Sequence, residues 1–185
     1  MQRYNLSLLS ILAFVVITSF SCSNSKKANK EKEAAVNDAP LELIEGQVQD
    51  VKEELEHIIS NPNIAIYLER TPCRGECPNF KLSISKVGNA EMEGYANIEL
   101  IGSSSARLPR ESMEKIFAKA NEINYWNLKD AYDSPAMDIP TTYIFIRYNN
   151  QEKAIRNRMN GPESLNQLAA LIYEEYIKSK PYGVE

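Results

Sequence analysis

Apolar residues recur along this chain in three rhythms. From Leu6 to Phe20 they run almost without a break. Between Leu41 and Ser60 they return at helical spacing, with Val48, Val51, Leu55, Ile58 and Ile59 on one face. Asn61-Pro62-Asn63 closes that helix. After it the period shortens. Ile64 to Arg70 is a β-type run, and Phe80, Leu82 and Ile84 alternate with polar residues as in a half-buried strand. Val87-Gly88-Asn89 turns the chain, and Ala90 to about Ile101 continues as strand, with Gly94 marking a bulge or break. Ser103-Ser104-Ser105 reads as loop.

The helical rhythm then returns. Pro109 to about Asn124 carries the stripe Met113, Ile116, Phe117, Ala120 and Ile123. Tyr125-Trp126-Asn127-Leu128 follows, and then a loop runs through Asp138-Ile139-Pro140. Thr141 to Tyr148 and Glu152 to Asn157 form a hairpin about Asn149-Asn150, because asparagine tolerates the positive φ of a tight turn. Pro162 sits in the first turn of the last helix, whose stripe is Leu165, Leu168, Ile172 and Tyr176. Lys178 and Lys180 near its end suit the helix dipole. Strands joined by short turns pair antiparallel. The expected fold is a single α+β domain: an antiparallel sheet with two or three helices packed on one face.

Anatomy divides the chain further. Arg3 and the amino terminus precede the first apolar run, which closes on Ser19-Phe20-Ser21-Cys22. The run is about 15 residues, short of the roughly 20 that span a bilayer. It resembles a bacterial lipoprotein signal, although Ser19 stands where leucine is usual. That resemblance implies cleavage of residues 1–21 and lipidation of Cys22, with plain secretion as the alternative. Residues 22–40 are polar and rich in Lys and Glu, a disordered tether. Residues 41–61 are the amphipathic helix and 62–180 the α+β domain. The expected location is the cell envelope, anchored by lipid to the outer or inner membrane with the domain outside the cytoplasm.

Charge narrows the partners. The whole chain carries −4, and loss of Arg3 with the signal makes it −5. No basic stripe offers itself to phosphates, so nucleic acid is not an expected partner. The expected partners are the membrane, through the N-terminal lipid, and an envelope protein or small ligand.

The chain has three cysteines, and with Cys22 given to lipid, Cys73 and Cys77 remain as an even pair in a disulfide-permissive compartment. They sit in Arg70-Thr-Pro-Cys-Arg-Gly-Glu-Cys-Pro78. This stretch resembles the Arg-Thr-Pro-Cys-x-Gly-x-Cys-Pro loop of an uncharacterised bacterial domain family found in secreted proteins and lipoproteins. A later Asp-x-Pro-Thr segment of that family is matched by Asp138, Pro140 and Thr141, with Tyr132 in the loop before it. The resemblance covers about residues 62–178. Asn79-Phe80 departs from it, where the family often has an aliphatic residue and tyrosine. The family has no assigned activity, so the resemblance implies a fold and no mechanism.

Three readings of the cysteine loop stay open. Gly75 gives the backbone freedom for a local disulfide that pins two strands. A redox pair would use Arg70 and Arg74 to stabilise a thiolate, although the spacing is longer than Cys-x-x-Cys. Copper(I) binding suits soft thiolates, and Cys-x-x-x-Cys-Pro resembles the copper loop of Sco-type assembly proteins, but the distant histidine of those proteins is missing. The single histidine, His57, lies before the loop on the first helix and reads as a surface residue. No Gly-x-Ser-x-Gly or phosphate loop occurs. No catalytic residue, metal site or cofactor is expected. Arg70, Arg74 and Asp138 remain as a possible ligand site or structural ion pair. The leading expectation is a non-enzymatic binding or structural domain. The alternative is an envelope thiol-redox or copper-handling protein using Cys73 and Cys77.

Overall fold

The structure is a computed structural model that describes residues 50–183. The predicted signal segment, Cys22, the predicted tether and the first part of the predicted helix, including Val48, lie outside the described residues. Within them the chain forms β1 (Ile64–Arg70), β2 (Asn79–Ser85), β3 (Asn89–Ala96), β4 (Gly102–Arg107), β5 (Ala131–Tyr132), β6 (Thr142–Tyr148), β7 (Gln151–Asn157) and β8 (Tyr182–Gly183). These build one open sheet in the order β5-β7-β6-β1-β2-β3-β4-β8. Every pairing is antiparallel except β5 with β7. The helices are α1 (Val51–Glu54), α2 (Glu56–Ile59), α3 (Arg110–Glu122) and α4 (Glu163–Lys178). The domain is therefore α+β.

Apolar patterning explains which part of the sheet is covered twice. In β1, Ala65, Ile66, Tyr67 and Leu68 are all buried, and in β6 Ile144, Phe145 and Ile146 are buried. A strand buried on both faces reads as a continuous apolar run. In β3 only Ala90, Met92 and Gly94 are buried, and Glu91, Glu93 and Tyr95 face solvent. That alternation marks a strand with one wet face.

Two apolar clusters follow from this division. The larger joins Ile66 and Leu68 of β1, Phe80, Leu82 and Ile84 of β2, and Ile144 and Ile146 of β6 to Met113, Ile116 and Ala120 of α3 and Leu165, Leu168 and Ile172 of α4. The smaller joins Tyr67, Phe145 and Ala154, the strand residues of opposite parity, to Val51, Leu55 and Ile58 of α1 and α2. The helices do not all share one cluster, because the first amphipathic segment buries its stripe against the other parity of β1, β6 and β7. Arg147 fastens that segment. Its guanidinium donates to the carbonyl oxygens of Ile59 (2.6 Å) and Asn61 (2.7 Å), at the exposed end of α2.

Several expected boundaries shift. The first helix is broken at Leu55, whose φ of −105° and ψ of 16° separate α1 from α2. Ser103, Ser104 and Ser105 are not loop but strand β4, paired with β3 from Asn89↔Arg107 to Gly94↔Gly102. Serine carries little strand signal, but alternation still operates: Ser104 is buried and shares a 2.8 Å hydrogen bond with the Tyr176 hydroxyl. The loop after Tyr125 contains β5, and β8 adds a short edge beside β4. The Asn149-Asn150 hairpin forms with both residues at positive φ, 49° and 61°. Pro162 stands at the N-cap of α4, one residue ahead of its first turn.

Candidate functional site

The cysteine loop connects β1 to β2. Cys73 and Cys77 are disulfide-bonded, their Cα atoms 5.8 Å apart. The Gly75 N–H donates to Cys73 Sγ at 3.2 Å, and the Asn97 side chain donates to the Cys77 carbonyl at 3.1 Å. On its other side the loop is clasped to the segment before β6. Thr71 N donates to the Thr141 carbonyl (2.9 Å), Thr141 N donates to Thr71 Oγ1 (2.8 Å), and Arg74 N donates to the Asp138 carbonyl (3.3 Å). The two segments that carried the family resemblance thus meet in space.

The structure separates the three residues Arg70, Arg74 and Asp138 that the sequence groups together. Arg74, not Arg70, reaches Asp138, at 3.9 Å, with side chains 87% and 61% exposed. An ion pair so exposed adds little stability. The sequence could not choose between the two arginines, since both flank the same loop. Strand parity decides it. Arg70 ends β1 and continues the Ile66, Leu68 face, so it turns toward α4. Arg74 lies in the loop beyond the sheet.

On the α4 side Arg70 enters a cleft of about 610 Å³. Arg70 and Phe80 line it from β1 and β2, Ile98 and Glu99 from the β3–β4 connection, and Tyr173 and Glu174 from α4. The lining is mainly apolar. Phe80 and Tyr173 pack with ring centroids 5.0 Å apart. Burial raises the Tyr173 hydroxyl above its ordinary value, opposed by a hydrogen bond from the Glu99 backbone. Register builds the cleft: Arg70 stands opposite Phe80, Phe80 opposite Gly94, and Gly94 opposite Gly102. A Cβ on Gly94 would lie 2.0 Å from the Leu100 carbonyl oxygen and 2.6 Å from Ile98 Cδ1. The missing side chain lets residues 97–101 fold over the end of the sheet and form one wall. The sequence marks Gly94 as a bulge or break. The register shift between Asn79 and Phe80 lies directly opposite it.

The Arg70 guanidinium is half-buried in that wall. Among the described residues its side chain has no hydrogen-bond or ion-pair partner. Burial lowers it from the ordinary guanidinium value, with no anion to offset the loss of water. It stays protonated, as arginine does in proteins.

Other charged clusters are already satisfied. Arg156, buried beneath α1, makes a forked pair with Asp133 (3.0 and 2.9 Å) and reaches Glu54 at 2.9 Å. These bonds raise its affinity for the proton and tie α1 and the β5 segment to β7. Burial and then Glu54 push the nearby Tyr143 hydroxyl to about 12. Glu175 of α4 accepts from Lys115 (2.6 Å), Ser112 (2.7 Å) and Lys178 (3.1 Å), linking α3 to α4. His57 is exposed and meets the edge of Tyr67 at 6.5 Å. No group of three His, Cys, Asp or Glu side chains is placed to hold a metal among the described residues.

Residues 64–176 match the family described as a domain of unknown function, DUF6438, and the chain belongs to that family. The match spans the cysteine loop, the Asp138 segment and every wall of the Arg70 cleft. No curated protein matches the chain.

Proposed function

We propose that this protein is a lipid-anchored component of the cell envelope whose α+β domain binds a ligand without transforming it. The observation that carries the reading is the Arg70 cleft, a concave apolar surface with a cation in its wall that has no partner among the described residues. Binding sites are commonly concave and apolar with few polar groups that fix orientation. In this reading α3 and α4 cover one face of the sheet, and the cleft opens where α4 overhangs the ends of β1 and β2. The Cys73–Cys77 bridge is a staple. It fixes the turn that leaves Arg70 and re-enters at Pro78, so it sets the rim of the cleft without taking part in chemistry. The anchor rests on the signal anatomy and Cys22.

The rival reading makes the same bridge a thiol-redox or copper-handling centre. Its support is the exposed loop, where Arg74 and the Gly75 N–H would both favour a thiolate on Cys73. Replacing both cysteines by serine and titrating the wild-type bridge against thiol buffers separates the two. A staple has a reduction potential below about −300 mV. Its loss costs the fold about 2 kcal/mol, the size expected for so small a ring. A bridge that exchanges readily with glutathione, with an unchanged unfolding midpoint in the double serine variant, overturns the staple and favours the rival.

A further inference from the structure

Besides a cavity whose Arg147 is engaged by Glu152 and by the Ile59 and Asn61 carbonyls, two cavities of the described residues combine apolar walls with arginine. One lies at the far end of the sheet, about 630 Å³, with Arg107 and Arg110 among its lining. Both of its arginines are engaged: Arg107 donates to Asn89 Oδ1 at 2.8 Å, and Arg110 pairs with Glu114 at 2.7 Å. The Arg70 cleft differs because its guanidinium has no partner among the described residues. A half-buried guanidinium has lost part of its hydration and gains most from an anion that brings two acceptor oxygens in one plane. The carboxylate has that geometry.

The remaining walls restrict the anion. Glu99 and Glu174 line the same cleft. Neither forms an ion pair with the Arg70 guanidinium, and among the described residues Glu174 pairs with Lys178 at 3.7 Å on the exposed side of α4. Two carboxylates facing one cation leave the cleft unfavourable to a dianion. Like charges at short range oppose binding, and a phosphate would bring nearly two negative charges. The floor then selects the body of the ligand. Ile98 and Tyr173 offer apolar and aromatic surface, with the buried Phe80 ring packed against Tyr173 as support, and a flat apolar group packs on the accessible side of Tyr173.

We infer that the Arg70 cleft binds a small organic monocarboxylate with an apolar, preferably aromatic, body: the carboxylate on Arg70, the body over Ile98 and Tyr173. This rests on the reading of the cleft as the binding surface and names the class of ligand it takes. The rim glutamates act as a selectivity filter, since they disfavour multiply charged anions of similar size.

The test uses the full chain in detergent micelles and three probes: 3-phenylpropionate, its neutral amide, and inorganic phosphate. Affinities are read by calorimetry and by perturbation of backbone amide resonances. The acid is expected to bind, the amide to bind about tenfold more weakly or worse, and phosphate not to compete, as loss of one charge-assisted bond requires. Arg70→Gln is expected to reduce affinity for the acid by about tenfold and leave the amide unchanged. Ala170→Trp, placed on the exposed face of α4 at the mouth of the cleft, is expected to abolish binding of acid and amide without touching the core. Equal affinity for acid and amide, or an acid affinity indifferent to Arg70→Gln, overturns the assignment of a carboxylate. In that event, amide binding that is lost in Ala170→Trp leaves the cleft standing as the binding surface with a different ligand. Failure of every probe to respond to Ala170→Trp overturns the ligand class and the cleft together.

Discussion

Glu175 shows at the scale of one residue how a buried charge is held. It lies on α4 facing α3 and is 5% exposed. The hydrogen bond from Lys115, then that from Ser112, then Lys178 outweigh burial and draw its carboxyl down to about 2. A carboxyl depressed in the folded state stabilises above its unfolded value of about 4.3 and loses that stabilisation as pH falls toward the folded value. The window is therefore about pH 5 to pH 2. The full shift corresponds to about 3 kcal/mol. Lys115 and Lys178 are more than half exposed, so screening lowers the expected contribution to about 1–2 kcal/mol. Glu175→Gln should reduce the unfolding free energy at pH 7 and flatten its slope between pH 5 and 2. A pH-dependent urea titration checks this, and a variant with the wild-type slope would refute it. The sequence did not disclose this residue. Glu175 breaks no pattern, because its neighbours Glu174 and Lys178 are equally charged and only packing distinguishes them. Arg70 was legible as a residue of interest because it precedes a specific loop motif. Its true neighbour was not, since parity along β1 sends it to α4 while Arg74 takes Asp138.

Elements reveal where local signals suffice. β1, β2, the Asn149-Asn150 hairpin, α3 and α4 carry strong periodicity or turn chemistry, and each forms where its pattern lies. β4 does not announce itself, because Gly102 and three serines hold a strand through pairing, with β3 along its length and with β8 at Ser104 and Ser105. β5 and β8 are two residues each, too short for any period to be read. The connection between β3 and β4 depends on one position. Asn97 turns with φ of 56°, and the chain then passes so close above Gly94 that the Leu100 carbonyl occupies the space of a side chain. Gly94→Ala should force residues 97–101 away from the sheet, at a cost of about 1–3 kcal/mol from overpacking. Because Asn97, Ile98 and Glu99 wall the Arg70 cleft, the same substitution should disturb the cleft. Urea unfolding measures the first effect, and amide shifts confined to residues 97–102 and the Arg70 end of β1 report the second. A variant with unchanged stability and unchanged shifts would show that the close approach is not a constraint.

At the scale of the whole molecule the sheet is covered unequally, and this bears on how the chain meets its surroundings. Residues of β1, β6 and β7 enter both apolar clusters, one shared with α3 and α4 and the other with α1 and α2, whereas β2, β3 and β4 leave Lys81, Glu91, Glu93 and Ser103 to water. The wet face is polar and carries charge of both signs, with Lys81 at 3.5 Å from Glu69 and Ser103 donating to Glu93 at 2.6 Å. Tyr95 is the large apolar side chain exposed on this face among the described residues, and no helix of the described residues is long and apolar enough to cross a bilayer. A net charge of −4 does not favour adhesion to anionic lipid either. In the proposed reading, attachment to a membrane rests on a lipid at Cys22. A diacylglycerol supplies two acyl chains, and two chains hold a protein stably where one holds it only reversibly. The wild-type chain should remain in the membrane pellet after a high-salt wash, which removes electrostatic attachment. Cys22→Ala should move it to the soluble or unprocessed fraction, with the mass of the lipid absent from its N-terminal peptide. Wild-type protein recovered as soluble, unlipidated material would replace the anchor with plain secretion, and the Arg70 cleft would then belong to a freely diffusing binding protein.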